Sequence, residues 1–273
     1  MTALVAITRE VTPAIARCEL THLSRVRINV ERARAQHARY EDVLASLGCA
    51  VERLPSPSHL PDAVFVEDTA VVLDEIAIVT RPGAESRRAE IPLVEHALTR
   101  HREVARIEPP GTLDGGDVLR VGRSIFVGRS SRTNDAAIAQ LRAIVEPFGY
   151  ELEPVDVRGC LHLKSAVTAV DDHVLLMNRA WLPVQALARF DSVEVDPFEP
   201  YAANALRVGE SIVYAAAFPR TRGRLQALGL AVVVVDLSEL AKAEGAVTCG
   251  SLILEARKSS SPVEKSDAMR PTS

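Results

Sequence analysis

The chain has 273 residues, 47% of them hydrophobic, and a formal net charge of -4. A chain of this length buries roughly three quarters of its unfolded surface and needs no covalent staples; its slightly acidic balance gives no reason to expect nucleic acid or an anionic membrane as a partner. No apolar run reaches transmembrane length and no leader peptide opens the chain, while Cys18, Cys49, Cys160 and Cys249 form neither a disulfide framework nor a paired zinc motif, so a cytoplasmic protein is expected.

From the N-terminus the pattern predicts a strand over Leu4–Thr8, a helix near Val30–Leu47 and a strand over Ala50–Leu54. Four units then repeat strand, tight turn, strand, helix, strand. The first is Thr69–Leu73, a turn at Asp74-Glu75, Ile76–Thr80, a helix near Arg88–Arg100, then Val104–Ile107. The second is Val118–Val121, a turn at Gly122-Arg123, Ile125–Gly128, a helix near Asp135–Phe148, then Leu152–Val155. The third is Ala166–Val170, a turn at Asp171-Asp172, His173–Met177, a weak helix from about Leu182, then Val193–Val195. The fourth is Ala205–Val208, a turn at Gly209-Glu210, Ser211–Tyr214, a helix near Arg222–Leu228, then Val232–Val235. Two-residue Gly- and Asp-rich connections are hairpin signals, and runs such as Ile138, Leu141, Ile144 and Val145 have helical spacing. Pairing Ser251–Leu254 with Leu4–Thr8 completes a fifth unit and closes an α/β ring, a five-bladed propeller of ββαβ units with no edge along its axis. The regularity favours this over an open mixed sheet. One domain over residues 1–257 is expected, with a disordered polar tail over 258–273.

Unusual polar residues stand just ahead of the hairpins: Glu67-Asp68, Asp114-Gly-Gly-Asp117, His162, Asn204 and Cys249. In an antiparallel hairpin the start of the first strand and the end of the second lie together. Arg87 and Arg132, just after two hairpins, are therefore expected in the same cleft as Asp68, Asp114, His162 and Cys249. A thiol needs electrostatic help to act as a nucleophile at neutral pH, and a histidine can serve first as acid and then as base. A lone cysteine is more often a small buried hydrophobe, which is the reading kept for Cys18, Cys49 and Cys160. Cys160, His162 and Cys249 as a metal set are weak evidence for zinc. The acids Asp62, Glu67 and Asp68 lie in apolar strand-like sequence, and Asp114 and Asp117 flank a glycine pair that allows a tight turn. Partly buried carboxylates need positive partners; with few lysines in the chain, a cationic ligand would supply one. Exposed acidic turns are common, and Asp74, Glu75, Asp171 and Asp172 are read that way. Two arginines opposite such acids suit the carboxylate of a zwitterion whose other end is a guanidinium.

The chain resembles the dimethylarginine dimethylaminohydrolases, of the guanidine-modifying pentein superfamily. The resemblance rests on Leu60–Asp68, Thr80–Arg88, Thr112–Val118, Ser131–Asn134, Leu161–Ser165, Tyr201–Asn204 and Thr248-Cys249, in that order, across nearly the whole chain. It implies the five-bladed α/β propeller of the pentein fold. It implies hydrolysis of asymmetric dimethylarginine or monomethylarginine to L-citrulline, with Cys249 as nucleophile, His162 as acid then base, and Asp114 orienting His162. Glu67 and Asp68 would hold the guanidinium, Asp62 and the Leu20 backbone the α-amino group, and Arg87 and Arg132 the carboxylate. No metal or organic cofactor is implied, and a homodimer through one blade is unsurprising. Alternatives are an arginine or agmatine deiminase and a non-catalytic arginine-derivative binding protein. Gly250, where relatives often carry a larger residue, is the main departure.

Overall fold

A computed structural model describes residues 3–256. The expected tail over 258–273 and the last residue of the expected domain lie outside the described residues. Five three-stranded sheets are present, and in each an antiparallel hairpin is extended by a parallel third strand. The ends join as anticipated: β15 (Leu252–Glu255) runs antiparallel to β1 (Leu4–Arg9) with Leu4 opposite Glu255 and Ile7 opposite Leu252, and β1 pairs in parallel with β2 (Cys49–Leu54). The other blades are β3 (Ala70–Val72), β4 (Ile76–Val79) and β5 (Glu103–Arg106); β6 (Val118–Val121), β7 (Ser124–Arg129) and β8 (Glu151–Asp156); β9 (Val167–Ala169), β10 (Val174–Met177) and β11 (Asp191–Glu194); and β12 (Ala205–Val208), β13 (Ser211–Ala215) and β14 (Ala231–Val235). The expected pentein propeller is thus the observed architecture.

Helices α1 (Val30–Ser46), α2 (Ile91–Leu98), α3 (Asp135–Val145) and α5 (Pro219–Ala227) join second to third strands; two short helices, α4 (Leu163–Ala166) and α6 (Ser238–Ala241), sit near the site. The caps follow the sequence. Asn29 Oδ1 accepts from Arg32 N–H and Asn134 Oδ1 from Ala137 N–H, each at 3.0 Å. The weak helix expected from Leu182 is only the helical turn Val184–Leu187, because the chain enters β11 at Asp191, too soon after it for a further turn. The helix expected from Arg88 begins as a turn over Glu85–Glu90 and becomes α-helical at Ile91-Pro92, where proline costs no hydrogen bond.

Each long helix fills a seam between its own blade and the one before. Ala137, Ile138, Leu141 and Val145 of α3 pack on Ile125 and Val127 of their own blade and on Val71 and Ile78 of its neighbour. Val94, Ala97 and Leu98 of α2 cluster with Val79 and with Val5 and Ile7, and Tyr40, Val43 and Leu44 of α1 with Ala6 and with Val213 and Val235. Burial of each larger aliphatic side chain among these contributes about 1.5–3 kcal/mol, so the seams help hold the ring closed. The innermost strands, β3, β6, β9, β12 and β15, surround a central cavity of about 300 Å³. Their starting residues converge at one end of it.

Candidate active site

Three of the inner strands are entered through short structures that fix polar groups. Val66–Thr69 is a helical turn bearing Glu67 and Asp68, Gly115–Asp117 is another after Asp114, and His162 precedes α4. The glycine pair is required by close approach, since neither residue has a positive φ. A Cβ on Gly116 would lie 2.6 Å from His162 Nδ1 and 2.8 Å from Asp68 Oδ1, and one on Gly115 would strike the carbonyl of Glu67. The turn therefore lets the imidazole lie directly against backbone.

His162 is buried between two carboxylates. Nε2 bonds Asp114 Oδ2 at 3.1 Å, and Nδ1 lies 3.7 Å from Asp68 Oδ1. Burial opposes a charged ring, but Asp68, the bond to Asp114 and nearby Asp117 outweigh it and raise its pKa to about 9. Asp114 is placed by Gly83 N–H, which donates to Oδ1 at 2.9 Å, and by its own N–H, which donates to Thr133 Oγ1 at 3.3 Å. Asp117 accepts from Leu163 N–H, Ser130 Oγ and Thr133 Oγ1 beside His162, and burial lifts it to about 6 despite these bonds.

A cavity of about 30 Å³ is lined by Asp62, Asp68, Arg87, Asp114, Arg132, His162 and Cys249, together with Glu19 and Glu244. Seven of the nine residues singled out by sequence line it. Cys249 is part-exposed there, and its Sγ accepts from Ala246 N–H at 3.4 Å. Burial, with the charges of Glu67 and Asp68, pushes its thiol far above the usual range. Asp62 accepts from Glu19 N–H at 3.1 and 3.2 Å through its two oxygens, and burial raises it to about 6 against the pull of Arg87. Arg132 is half-buried and donates to Thr21 Oγ1 at 3.0 Å.

The structure differs from the sequence expectations at two places. Arg87 is not an open cation: its Nη1 donates to Asp68 Oδ2, its Nε and Nη2 to Glu90, and its Nη2 to the carbonyls of Asp62 and Phe65. The cation expected from a ligand beside these acids is already supplied within the chain. Asp68 stays ionised below the usual carboxylate range, because His162 and Arg87 outweigh its burial. Glu67 turns to the central cavity instead, where Lys164 Nζ and Thr248 Oγ1 each donate to it at 2.6 Å. Leu20 is half-buried against the apolar cluster under α1, while its neighbour Glu19 lines the site.

Other residues at the site had no role from sequence. Glu244, at φ +60°, accepts from the N–H groups of Thr21, His22 and Leu23, holding that loop beside the site. Tyr40 of α1 donates to Val247 O at 2.8 Å and lies 2.7 Å from Ser251 Oγ, bracketing Cys249 from behind. Its ring is also the atom group nearest a Cβ placed on Gly250, at 3.1 Å, so a side chain there would press on a buried ring. Lys164 and Asn204 stood inside quoted motifs, which was the available signal; Tyr40 and Glu244 gave none, being ordinary residues in helix and loop.

Asp68, Asp114 and His162 offer ligand atoms within 4.8 Å of one another. The two carboxylates face opposite ring nitrogens. A single ion could take only one of those nitrogens, so the arrangement suits a protonated imidazole better than a metal.

The family model for eukaryotic N,N dimethylarginine dimethylhydrolase matches residues 12–178. An N(G),N(G)-dimethylarginine dimethylaminohydrolase of Streptomyces coelicolor is 42% identical over 251 residues, covering 91% of this chain and 96% of that protein. One from Pseudomonas aeruginosa is 37% identical over 223 residues, covering 81% and 88%. A solved structure of the Pseudomonas aeruginosa enzyme, a Cys-to-Ser mutant complexed with citrulline, superposes with a TM-score of 0.89 at 34% identity, over 93% of this chain and 100% of that one. The N-terminal domain of a cyanobacterial arginine dihydrolase has a TM-score of 0.83 at 18% identity over 92% and 97%, a likeness of fold alone. With its convergent strand entries, and relatives alike along nearly their whole length, the chain belongs to the dimethylarginine dimethylaminohydrolase family.

Proposed function

We infer that the chain hydrolyses N-omega-methylated L-arginine to L-citrulline and dimethylamine or methylamine through a covalent intermediate on Cys249. The observation that carries this is His162, held between Asp114 and Asp68 in the cavity that Cys249 lines. The Cys249 thiol releases its proton to solvent as the cationic substrate binds, and its sulfur attacks the guanidinium carbon to form a C–S bond. The C–N bond then breaks as His162 gives its proton to the departing amine, leaving a thiouronium. His162, now neutral, takes a proton from water as the water oxygen bonds to carbon; C–S cleavage then forms the C=O of citrulline, and the remaining hydroxyl proton passes to the sulfur to return the thiol. Asp114 keeps the ring oriented, in the manner of a triad's third member. The raised thiol pKa supports a resting enzyme in the thiol form, with the substrate's own charge stabilising the thiolate.

Asp68 is the carboxylate placed for the guanidinium. Arg132 is the better cation for the substrate carboxylate, with Arg87 positioning Asp68. Asp62, with the Leu20 backbone, serves the α-amino group, and Glu67 supports the nucleophile's segment from behind. The enclosed part of the cavity, about 30 Å³, holds roughly one water, so we propose that an element moves to admit an arginine derivative. The loop held by Glu244 is the candidate. A reducing, cytoplasmic setting fits the four free thiols, and no described helix is long and apolar enough to cross a membrane. The homodimer is a separate proposal, testable by sedimentation.

The test is release of citrulline and amine from asymmetric dimethylarginine, monomethylarginine, arginine and agmatine, by wild type and Cys249→Ser. Citrulline with dimethylamine is expected, reduced by at least about three orders of magnitude in the variant. Ammonia from unmethylated arginine would make the enzyme a deiminase. Binding without turnover would reduce it to a binding protein.

A further inference from the structure

We propose that Asn204 is a positioning residue that fixes Cys249 relative to His162 by tying together the segments that carry them. Asn204 opens the innermost strand of its blade and is 5% exposed. Its Nδ2 donates to Lys164 O at 3.1 Å and to Thr248 Oγ1 at 3.0 Å, and its Oδ1 accepts from Thr248 N–H at 3.0 Å. A backbone N–H requires the oxygen and a backbone carbonyl requires the nitrogen, so the amide can face only one way. An aspartate would lack both donors, and an apolar residue would take a partner from a buried backbone N–H and from a part-buried carbonyl.

The placement of these partners gives the amide its importance. Thr248 directly precedes Cys249, and Lys164 follows His162 by two residues. The network also closes on itself. The Thr248 hydroxyl donates to one oxygen of Glu67 and Lys164 Nζ to the other, while Glu67 N–H donates to Cys249 O at 3.2 Å. Four blades are thereby joined in one ring of side chains around the inner end of the central cavity. Asn204 does not line the substrate cavity. Its effect must pass through the geometry of Cys249 and His162, and a displacement of about 1 Å in such a pair costs about 100-fold in rate.

The inference rests on the hydrolase reading, and its test separates the two. For Asn204→Ala, kcat is expected to fall about 10- to 100-fold while KM and citrulline affinity stay within about twofold. Thr248→Val should fall similarly, Thr248→Ser should stay near wild type, and the double variant Asn204→Ala/Thr248→Val should lose less than the product of the two single losses. Unchanged kcat, a matching rise in KM, or additive losses would each overturn the proposal. Should Asn204→Ala not fold, the two Thr248 variants decide, and equal activity of Val and Ser overturns it. Alkylation of Cys249 by iodoacetamide against pH needs no substrate. The profile should move to lower pH in Asn204→Ala as water reaches the freed segment, and an unmoved profile counts against positioning even if wild type releases no citrulline.

Discussion

The two ends of the propeller axis use the same residue types to opposite effect. At the hairpin-turn end, Arg120 pairs with Asp74, Arg123 with Glu75, and Arg207 with Asp171 and Asp172, stitching adjacent blades. At the strand-entry end, Arg87 pairs with Asp68 and Glu90, and His162 lies between Asp68 and Asp114. Arg120 and Asp74 keep 34% and 49% of their side-chain surface, whereas Arg87 and Asp68 keep 5% each. Water screens the first set, and such pairs contribute about 0–1 kcal/mol. The second set is desolvated, so each charge depends on its neighbours and can be tuned for proton transfer. Burial, not composition, separates a stitched surface from a reactive site.

The contrast can be broken by substitutions at matched positions. Asp68→Asn leaves Arg87 short of a carboxylate inside the protein and should destabilise by about 3–5 kcal/mol in urea unfolding, with turnover lost. A loss below about 1 kcal/mol would place this pair with the surface set. The pH dependence of stability tests His162 directly. Its folded pKa, about 9, exceeds the ordinary 6.5, so its stabilisation is complete below about 6.5 and disappears as pH rises through about 9. About 3 kcal/mol should be lost across that window, and His162→Asn should flatten the curve. Asp62 and Asp117, raised to about 6, lose the stabilisation of their protonated forms as pH rises from about 3.8 through about 6, below the His162 window, and do not obscure it.

Gly116→Ala should cost about 1–3 kcal/mol by overpacking and lower kcat about 100-fold by pushing His162 away from Asp68. Wild-type kinetics with an intact melting temperature would refute the close approach. Asp74→Ala should change stability by less than about 1 kcal/mol, with an effect that fades in high salt and leaves kcat and KM alone.

Much of this was legible because it is periodic or local. The four hairpin turns, the helical spacing of α3 and the pairing of β15 with β1 follow from alternation, turn residues and the need to remove an edge. The third blade misled where an early return to β11 left room for a single helical turn. The polar strand entries pointed to one end through hairpin geometry alone. What they did there was less legible: Arg87 looked like a free cation until Glu90 and Asp68 closed on it, and Glu67 looked like Asp68's companion until Lys164 drew it to the other side. Adjacent residues on a helical turn point apart, and no spacing rule reveals which partner waits across a blade.

By itself the sequence determined the ring and the set of groups at its mouth, because repeat, period and turn chemistry are properties of neighbouring residues. The tertiary structure decided which carboxylate meets which cation, that both nitrogens of His162 face acids, and that Asn204 and Tyr40 brace the nucleophile's segment. Those are contacts between residues far apart in the chain, and their energies depend on burial that only the closed ring creates.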